Sequence, residues 1–326
     1  MANVRWAMVG TGLMADLILR DFPLSENTQL VALVSRDTER AQSKLREVGI
    51  DAQALGFEQA ISDPEIDLIY IASPHSEHFW MAKAALEAGK HILVEKSVMN
   101  NAAEAQEIYT LAKSKGLFSM EAMWTKFMPL HNELIEIVRS GRIGQLRLIE
   151  ANFGFLRTFD ESHRLFNKDL GGGSSLDQGV YTTTLNRWFA DSRIRSQTTA
   201  GYNYANGVDA LAMTSFEFEN GVIGRGNSSL GTALGLAARL VGDLGIIEIH
   251  EAFWNTTEAT IKTYQPDSDV AHIERISRER KGAGYVHMIE AVSKSVLAGE
   301  TENSQHTHEF SLEVMRSLDK TRADLN

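Results

Sequence analysis

The stretch that most constrains how this chain can fold is its start, where Val4 to Val9 (Val-Arg-Trp-Ala-Met-Val) runs straight into Gly10-Thr11-Gly12-Leu13-Met14-Ala15. A short apolar run closed by glycine predicts a buried strand, and Leu13 to Phe22 then carries helical apolar spacing. A G-x-G-x-x-A turn between a strand and a helix is the phosphate-gripping fingerprint of dinucleotide-binding βαβ folds. Gly10 can take the tight turn, Gly12 lets a pyrophosphate approach the backbone, and Ala15 lets the helix lie close to the strand. The helix N-terminus adds free N–H groups and a partial positive charge. Gly10, Thr11, Gly12, Leu13 and Met14 are therefore expected to line a dinucleotide.

The second strand bears on which dinucleotide. Gln29 to Val34 is apolar and ends in Ser35-Arg36-Asp37. An acidic residue at this strand end hydrogen-bonds the ribose 2′-OH of NAD. Here Ser35 and Arg36 stand instead, and a hydroxyl beside a guanidinium suits a 2′-phosphate. NADP(H) is thus favoured over NAD(H). In the competing reading Arg36 is a solvated loop residue and Asp37 takes the acidic role, but Asp37 falls two places late and fits the N-cap of a helix over Thr38 to Val48.

The 326 residues suffice for two domains with a sizeable core. Net charge is −11, from 32 basic and 43 acidic residues without a basic run, which argues against nucleic acid or an anionic membrane as partner. The absence of cysteine excludes disulfides and thiolate zinc sites and fits a reducing cytoplasm. No stretch has the length and apolarity of a membrane span, no signal peptide precedes the first strand, and the expectation is a cytoplasmic protein whose fold begins at Met1.

Up to about residue 122 strand and helix alternate. Gln53 to Leu55, Leu68 to Ala72, His91 to Val94 and Phe118 to Ala122 read as further strands, with helices at Glu77 to Ala88 and Ala102 to Lys115. Asn101-Ala102-Ala103-Glu104 resembles a capping box. From Pro129 onward one helix, Leu130 to Ser140, precedes strand-like segments with few helices between them: Leu146 to Phe155, Gln197 to Tyr204, Ala212 to Phe218, Val222 to Asn227, Ala237 to Val241, Ile246 to His250 and Ala259 to Tyr264. Helices at Tyr285 to Ala298 and His308 to Ala323 close the chain. The expected class is α/β: a Rossmann doubly wound parallel sheet over 1–122, then an α+β domain over 123–326 with a large, mainly antiparallel open sheet.

Five motifs then fall in one order: Gly10-x-Gly12-x-x-Ala15; Ser73-Pro74-His75 with His78; Glu95-Lys96; Gly171-Gly172-Gly173; and Asp177-x-Gly179-x-Tyr181. In this order and spacing the chain resembles the glucose–fructose oxidoreductase / inositol dehydrogenase / MocA family over essentially its whole length. The segment Met120 to Pro129 (Met-Glu-Ala-Met-Trp-Thr-Lys-Phe-Met-Pro) looks closest to the subgroup of dimeric dihydrodiol dehydrogenase and NADP-dependent D-xylose dehydrogenase.

The resemblance implies an NADP-dependent oxidoreductase acting on a sugar, polyol or trans-diol, with Lys96 as the catalytic lysine, Tyr181 as its proton-handling partner and Asp177 in support. The chemistry is sound: an ammonium at a strand end can stabilise charge on a substrate oxygen, and a phenol near it can act as acid or base. The bland alternatives are a surface ion pair for Glu95-Lys96, a helix N-cap for Asp177 and a core aromatic for Tyr181. Glu95, Ser73, Pro74, His75, His78 and Trp124 are expected beside the cofactor; His75-x-x-His78 lacks a third ligand, so no metal is expected. Ser97 replaces the family's usual proline and is expected to loosen the loop, and Lys126 replaces its usual arginine. Phe153, Phe155 and Arg157 leave the first strand of the second domain towards the presumed cleft. The resemblance also implies a homodimer through the open sheet. Two rival readings keep the fold: a non-catalytic NAD(P)-binding regulator, and a biliverdin-type reductase acting on a flat apolar substrate.

Overall fold

The computed structural model describes residues 3–268 and 270–326, with the Leu13 side chain outside the description. The chain divides into two compact units, Met1–Phe127 with Arg280–Leu312, and Met128–Glu279 with Glu313–Asn326.

In the first unit the βα alternation is realised as β1 (Val4–Val9), α1 (Leu13–Asp21), β2 (Thr28–Val34), α2 (Thr38–Val48), β3 (Gln53–Leu55), α3 (Phe57–Ser62), β4 (Leu68–Ile71), α4 (His75–Glu87), β5 (His91–Val94), α5 (Ala102–Lys115) and β6 (Ser119–Glu121). The strands pair in parallel in the order β3-β2-β1-β4-β5-β6. Every residue of β4 is buried, because helices cover both faces of a parallel sheet. Asp37 Oδ1 accepts the Arg40 backbone N–H at 2.9 Å, so Asp37 caps α2 as the spacing predicts. Asn101 caps α5 likewise, but Glu104 completes the turn differently from a capping box, accepting from Asn100 N rather than Asn101 N. The helix α4 starts at His75 instead of Glu77. Pro74, with φ −59°, stands at its N-cap, so His75 and His78 both fall in its first turn.

Arg280–Leu312 groups with this unit, whereas the change of sequence rhythm suggests a single cut near residue 122. Polar ties that no local pattern encodes hold it there. Asp21, at the end of α1, accepts Ala283 N and Tyr285 N, each at 2.8 Å, at the start of α8 (Val286–Leu297). Trp6 Nε1 on β1 donates to Ser293 Oγ at 3.1 Å.

The second unit contains α6 (Pro129–Arg139), β7 (Leu146–Gly154), α7 (Val180–Ala190), β8 (Ile194–Asn203), β9 (Asp209–Phe218), β10 (Ile223–Ser229), β11 (Ala238–Gly242), β12 (Gly245–Ile249), β13 (Glu258–Tyr264) and β14 (Ala271–Ser277). The last helix, α9 (His308–Asp324), is divided between the units. The sheet order is β14-β13-β12-β11-β7-β10-β9-β8, antiparallel except for the β10–β7 pair. Strand β14 is absent from the sequence expectation because Ala-His-Ile-Glu-Arg-Ile-Ser is mostly exposed and lacks an apolar face. One face of the sheet carries two registered rows. Arg225, Glu150, Arg239 and Glu248 alternate in charge, and Ile223, Leu148, Val241 and Ile246 run beside them.

Candidate active site

The phosphate turn has the geometry its sequence demands. Gly10 sits at φ +116°, and a Cβ there would lie 2.5 Å from the carbonyl oxygen of Ala72. A Cβ on Gly12 would meet only open space, so the backbone is approachable from that side. No side chain caps α1, which leaves its N-terminus for an anion. Thr11 and exposed Met14 flank the turn. At the end of β2, Ser35 Oγ accepts from Asp37 N at 3.1 Å, which leaves its O–H to donate. Arg36 is exposed beside it, and the Asp37 carboxylate is engaged as a cap. Arg40, in the first turn of α2, donates from Nη2 to Thr11 O at 3.1 Å and brings a second guanidinium to this corner. Arg40 is absent from the sequence expectation; its place four residues after Arg36, in the first turn of α2, was the available signal.

At the end of β4, exposed Pro74 leads into α4, and the Ser73 hydroxyl is buried with no partner. His75 Nε2 lies 3.1 Å from Lys96 O. His78 Nδ1 lies 3.1 Å from both Ser97 O and Val98 O, and its Nε2 lies 3.0 Å from Ser73 O. The two histidines thus clamp backbone. Burial, with the neighbouring His75 adding to it, pushes the His78 pKa down to about 4. Among the described residues, no group of three or more His, Cys, Asp or Glu is placed to hold a metal.

Glu95 and Lys96 follow β5 directly. Burial raises the pKa of the Glu95 carboxyl, against the pull of the Tyr70 hydroxyl that donates to it. Lys96 is half-buried, and its backbone N–H lies 3.3 Å from Glu95 Oε2. The Lys96–Ser97 peptide is cis. Ser97 is fully buried with its carbonyl against His78, so this loop is pinned, contrary to the looser loop expected from the missing proline. Trp124 lies in a short 3₁₀ turn, stacked on Tyr285 at 4.6 Å between ring centroids. Lys126 is buried, its Nζ 3.5 Å from the centre of the Phe310 ring.

In the second unit, Asp177 and Tyr181 come from consecutive turns. Ser175–Gly179 is wound as a π-helix leading into α7. Ser174, not Asp177, occupies its N-cap position, which removes the bland role for Asp177. The Asp177 carboxylate accepts both Nη atoms of Arg164 at 3.3 Å, a partner absent from the sequence reading. Tyr181 is buried beside Phe153 (5.6 Å) and Trp254 (6.1 Å), and Phe153 and Trp254 stack at 3.6 Å. Trp254 lies after β12, outside every motif in the sequence. The glycine run has a steric cause: a Cβ on Gly172 would lie 2.6 Å from Leu165 O.

The family model described as "Oxidoreductase family, NAD-binding Rossmann fold" matches residues 4–122, and the model of the GFO/IDH/MocA C-terminal domain matches residues 131–248. The chain belongs to the GFO/IDH/MocA oxidoreductase family. Among its relatives, trans-1,2-dihydrobenzene-1,2-diol dehydrogenase of Bos taurus is 31% identical over 79% of this chain and 78% of its own. The Homo sapiens enzyme of that name is 28% identical over 92% and 90%. A 3-ketoreductase from Actinomadura kijaniata, solved with NADP and TDP-benzene, shares the fold with a TM-score of 0.85 at 22% identity, covering 99% of this chain and 98% of that one. An aldose–aldose oxidoreductase from Caulobacter crescentus, solved with glycerol, gives 0.88 at 22% identity over 99% and 97%. The GFO/IDH/MocA chain described here is therefore an NAD(P)-dependent oxidoreductase with the two-sheet fold of its family. Among the described residues no helix is long and apolar enough to cross a membrane.

Proposed function

We propose that the chain transfers hydride between NADP(H) and a carbon bearing a hydroxyl or carbonyl. The substrate is a small polyol: an aldopyranose reacting at C1, or a trans-vicinal diol. The observation that carries this reading is the content of one sheet edge. At the C-terminal ends of β1, β4 and β5 stand the open Gly12 backbone, the unpartnered buried Ser73 hydroxyl and Lys96 on its clamped loop. Those features fit a dinucleotide, with the bare hydroxyl as its donor and the uncapped α1 facing its phosphates. Ser35, Arg36 and Arg40 favour the 2′-phosphate of NADP, because Asp37 is spent on its cap. The names of the relatives and fold neighbours, a diol dehydrogenase, a ketoreductase and an aldose oxidoreductase, support the substrate class.

When bound, the nicotinamide supplies the hydride acceptor or donor. Lys96 holds the substrate oxygen and stabilises negative charge there. Tyr181 passes the hydroxyl proton, and Asp177, turned by Arg164, orients the substrate or the phenol. Glu95 and His75 fix the Lys96 backbone. The chain works as a homodimer in the cytoplasm, joined through the sheet face whose alternating charged row and adjacent apolar row suit a second copy. Light scattering showing a lone 36.2 kDa species would remove the dimer.

The test is nicotinamide absorbance on mixing the protein with NADP and a pooled panel of aldoses, inositols and trans-diols. NADPH should form with the wild type and NADP, NADH more slowly when NAD replaces it, and neither with Lys96→Met, which should still bind NADPH. Normal turnover by Lys96→Met would overturn the assignment.

A further inference from the structure

The clamp on the Lys96 loop has a second jaw that none of the five motifs contains. Glu121 is the last residue of β6, paired in register with Val94, the residue before Glu95-Lys96. Its side chain is fully buried, with three donors around one carboxylate. Val98 N donates to Oε1 at 3.0 Å. His306 Nε2 and Ser311 Oγ donate to Oε2 at 3.0 and 2.9 Å. Tyr109 O–H in turn donates to Ser311 Oγ at 2.9 Å. Burial depresses the His306 pKa, and its buried Nδ1 has no hydrogen-bond partner.

The Lys96 loop is thus held from two sides. His75 and His78 meet its carbonyls from α4, and Glu121 takes the Val98 amide from β6. His306 and Ser311 belong to the segment that returns to this unit from far along the chain. We propose that Glu121, oriented by His306 and Ser311, is a positioning residue that sets where the Lys96 amine stands. It touches neither cofactor nor substrate. In Glu121→Gln one oxygen is kept, but the NH2 that replaces the other meets the donors of His306 and Ser311, or that of Val98 if the amide turns over, so the side chain and the loop it holds must shift. An amine displaced by about 1 Å loses roughly a hundredfold in rate.

This inference rests on the reading of Lys96 as catalytic, and its test separates the two. The full-length protein is compared with Glu121→Gln, Ser311→Ala and Lys96→Met. Amines are reductively methylated with 13C-formaldehyde, and the Lys96 signal is the one missing from Lys96→Met. The expected result is a displaced Lys96 signal in Glu121→Gln, a smaller displacement in Ser311→Ala, and NADPH affinity within about threefold of wild type in both. In turnover, kcat falls 10- to 100-fold in Glu121→Gln with KM for the nucleotide little changed. An unmoved Lys96 signal overturns the inference, whether or not the wild type turns over any polyol. A kcat per nucleotide-binding site equal to wild type, with only a lowered melting temperature, also overturns it. If Glu121→Gln does not fold, Ser311→Ala decides by the same two readouts. Normal turnover by Lys96→Met would remove the catalytic reading, and the signal shift would still decide whether Glu121 positions the amine.

Discussion

Gly173 and Asp209 stand so close that a Cβ on the glycine would lie 2.2 Å from Asp209 Oδ1. The other oxygen, Oδ2, accepts Ser174 Oγ at 2.7 Å, Ser175 N at 2.6 Å and Ser175 Oγ at 2.8 Å. One buried carboxylate therefore ties the end of the glycine run to the turn that carries Asp177, and Gly173 can follow it only at φ +129°. Asp209→Ala strips three donors of their acceptor and should cost about 1–3 kcal/mol per buried group left unpaired. Gly173→Ala should be at least as damaging. Urea unfolding of both variants checks this; a midpoint within error of wild type would show that the pair is dispensable.

A second prediction concerns Arg36. On the proposed reading, replacing it with alanine should remove charge-assisted bonds worth about 1.5–3 kcal/mol to a 2′-phosphate. KM for NADP should rise roughly 10- to 100-fold at that energy, while KM for NAD stays put. Equal effects on both nucleotides would show that Arg36 does not read the phosphate.

The acid limit of stability should depend on His131. Its Nε2–H donates to Phe253 O at 2.7 Å, while Nδ1 is buried and bare. Burial lowers its pKa from 6.5 to about 4. Because the folded value is depressed, the unfolded chain binds the extra proton first. Stability is complete above 6.5 and drains away as pH falls towards 4. At about pH 5 the loss is about 2 kcal/mol for this group. Melting curves at about pH 7.5 and 5 on wild type and His131→Asn should show a shallower pH dependence in the variant; parallel curves would exclude the histidine.

The attachment of the returning segment is predicted to hinge on Asp21. Asp21→Ala leaves Ala283 N and Tyr285 N without their acceptor, at about 1–3 kcal/mol each if both stay buried. Gly282, at φ +54°, would put a Cβ 2.0 Å from Asp21 Oδ1, so Gly282→Ala should act in the same direction. Hydrogen exchange over 280–297 should quicken in either variant, and unchanged exchange would mean that other contacts hold the segment.

Much of this protein was legible in its sequence because the informative features are local. Strand, glycine turn and uncapped helix occur within Val4–Asp21, and a parallel sheet buried on both faces writes itself as runs such as Leu68–Ile71. The Asp37 cap is a three-residue event, so spacing alone placed it. Strand β14 escaped because an exposed edge strand needs no apolar face to pair with β13. Arg164 escaped as the partner of Asp177 because an ion pair across a loop leaves no periodic trace.

Local order, then, was the sequence's to determine: the element types, the family motifs and the residues at the strand ends. Tertiary structure alone decided which distant groups meet. Glu121 finds His306 and Ser311, Asp21 finds Tyr285, and Asp209 finds Ser175. Each is a buried carboxylate whose burial is tolerable only with donors close by, and those donors arrive from far along the chain. Periodicity records which face of an element is apolar. It does not record which remote N–H or O–H will reach a buried charge, because that depends on how the elements pack.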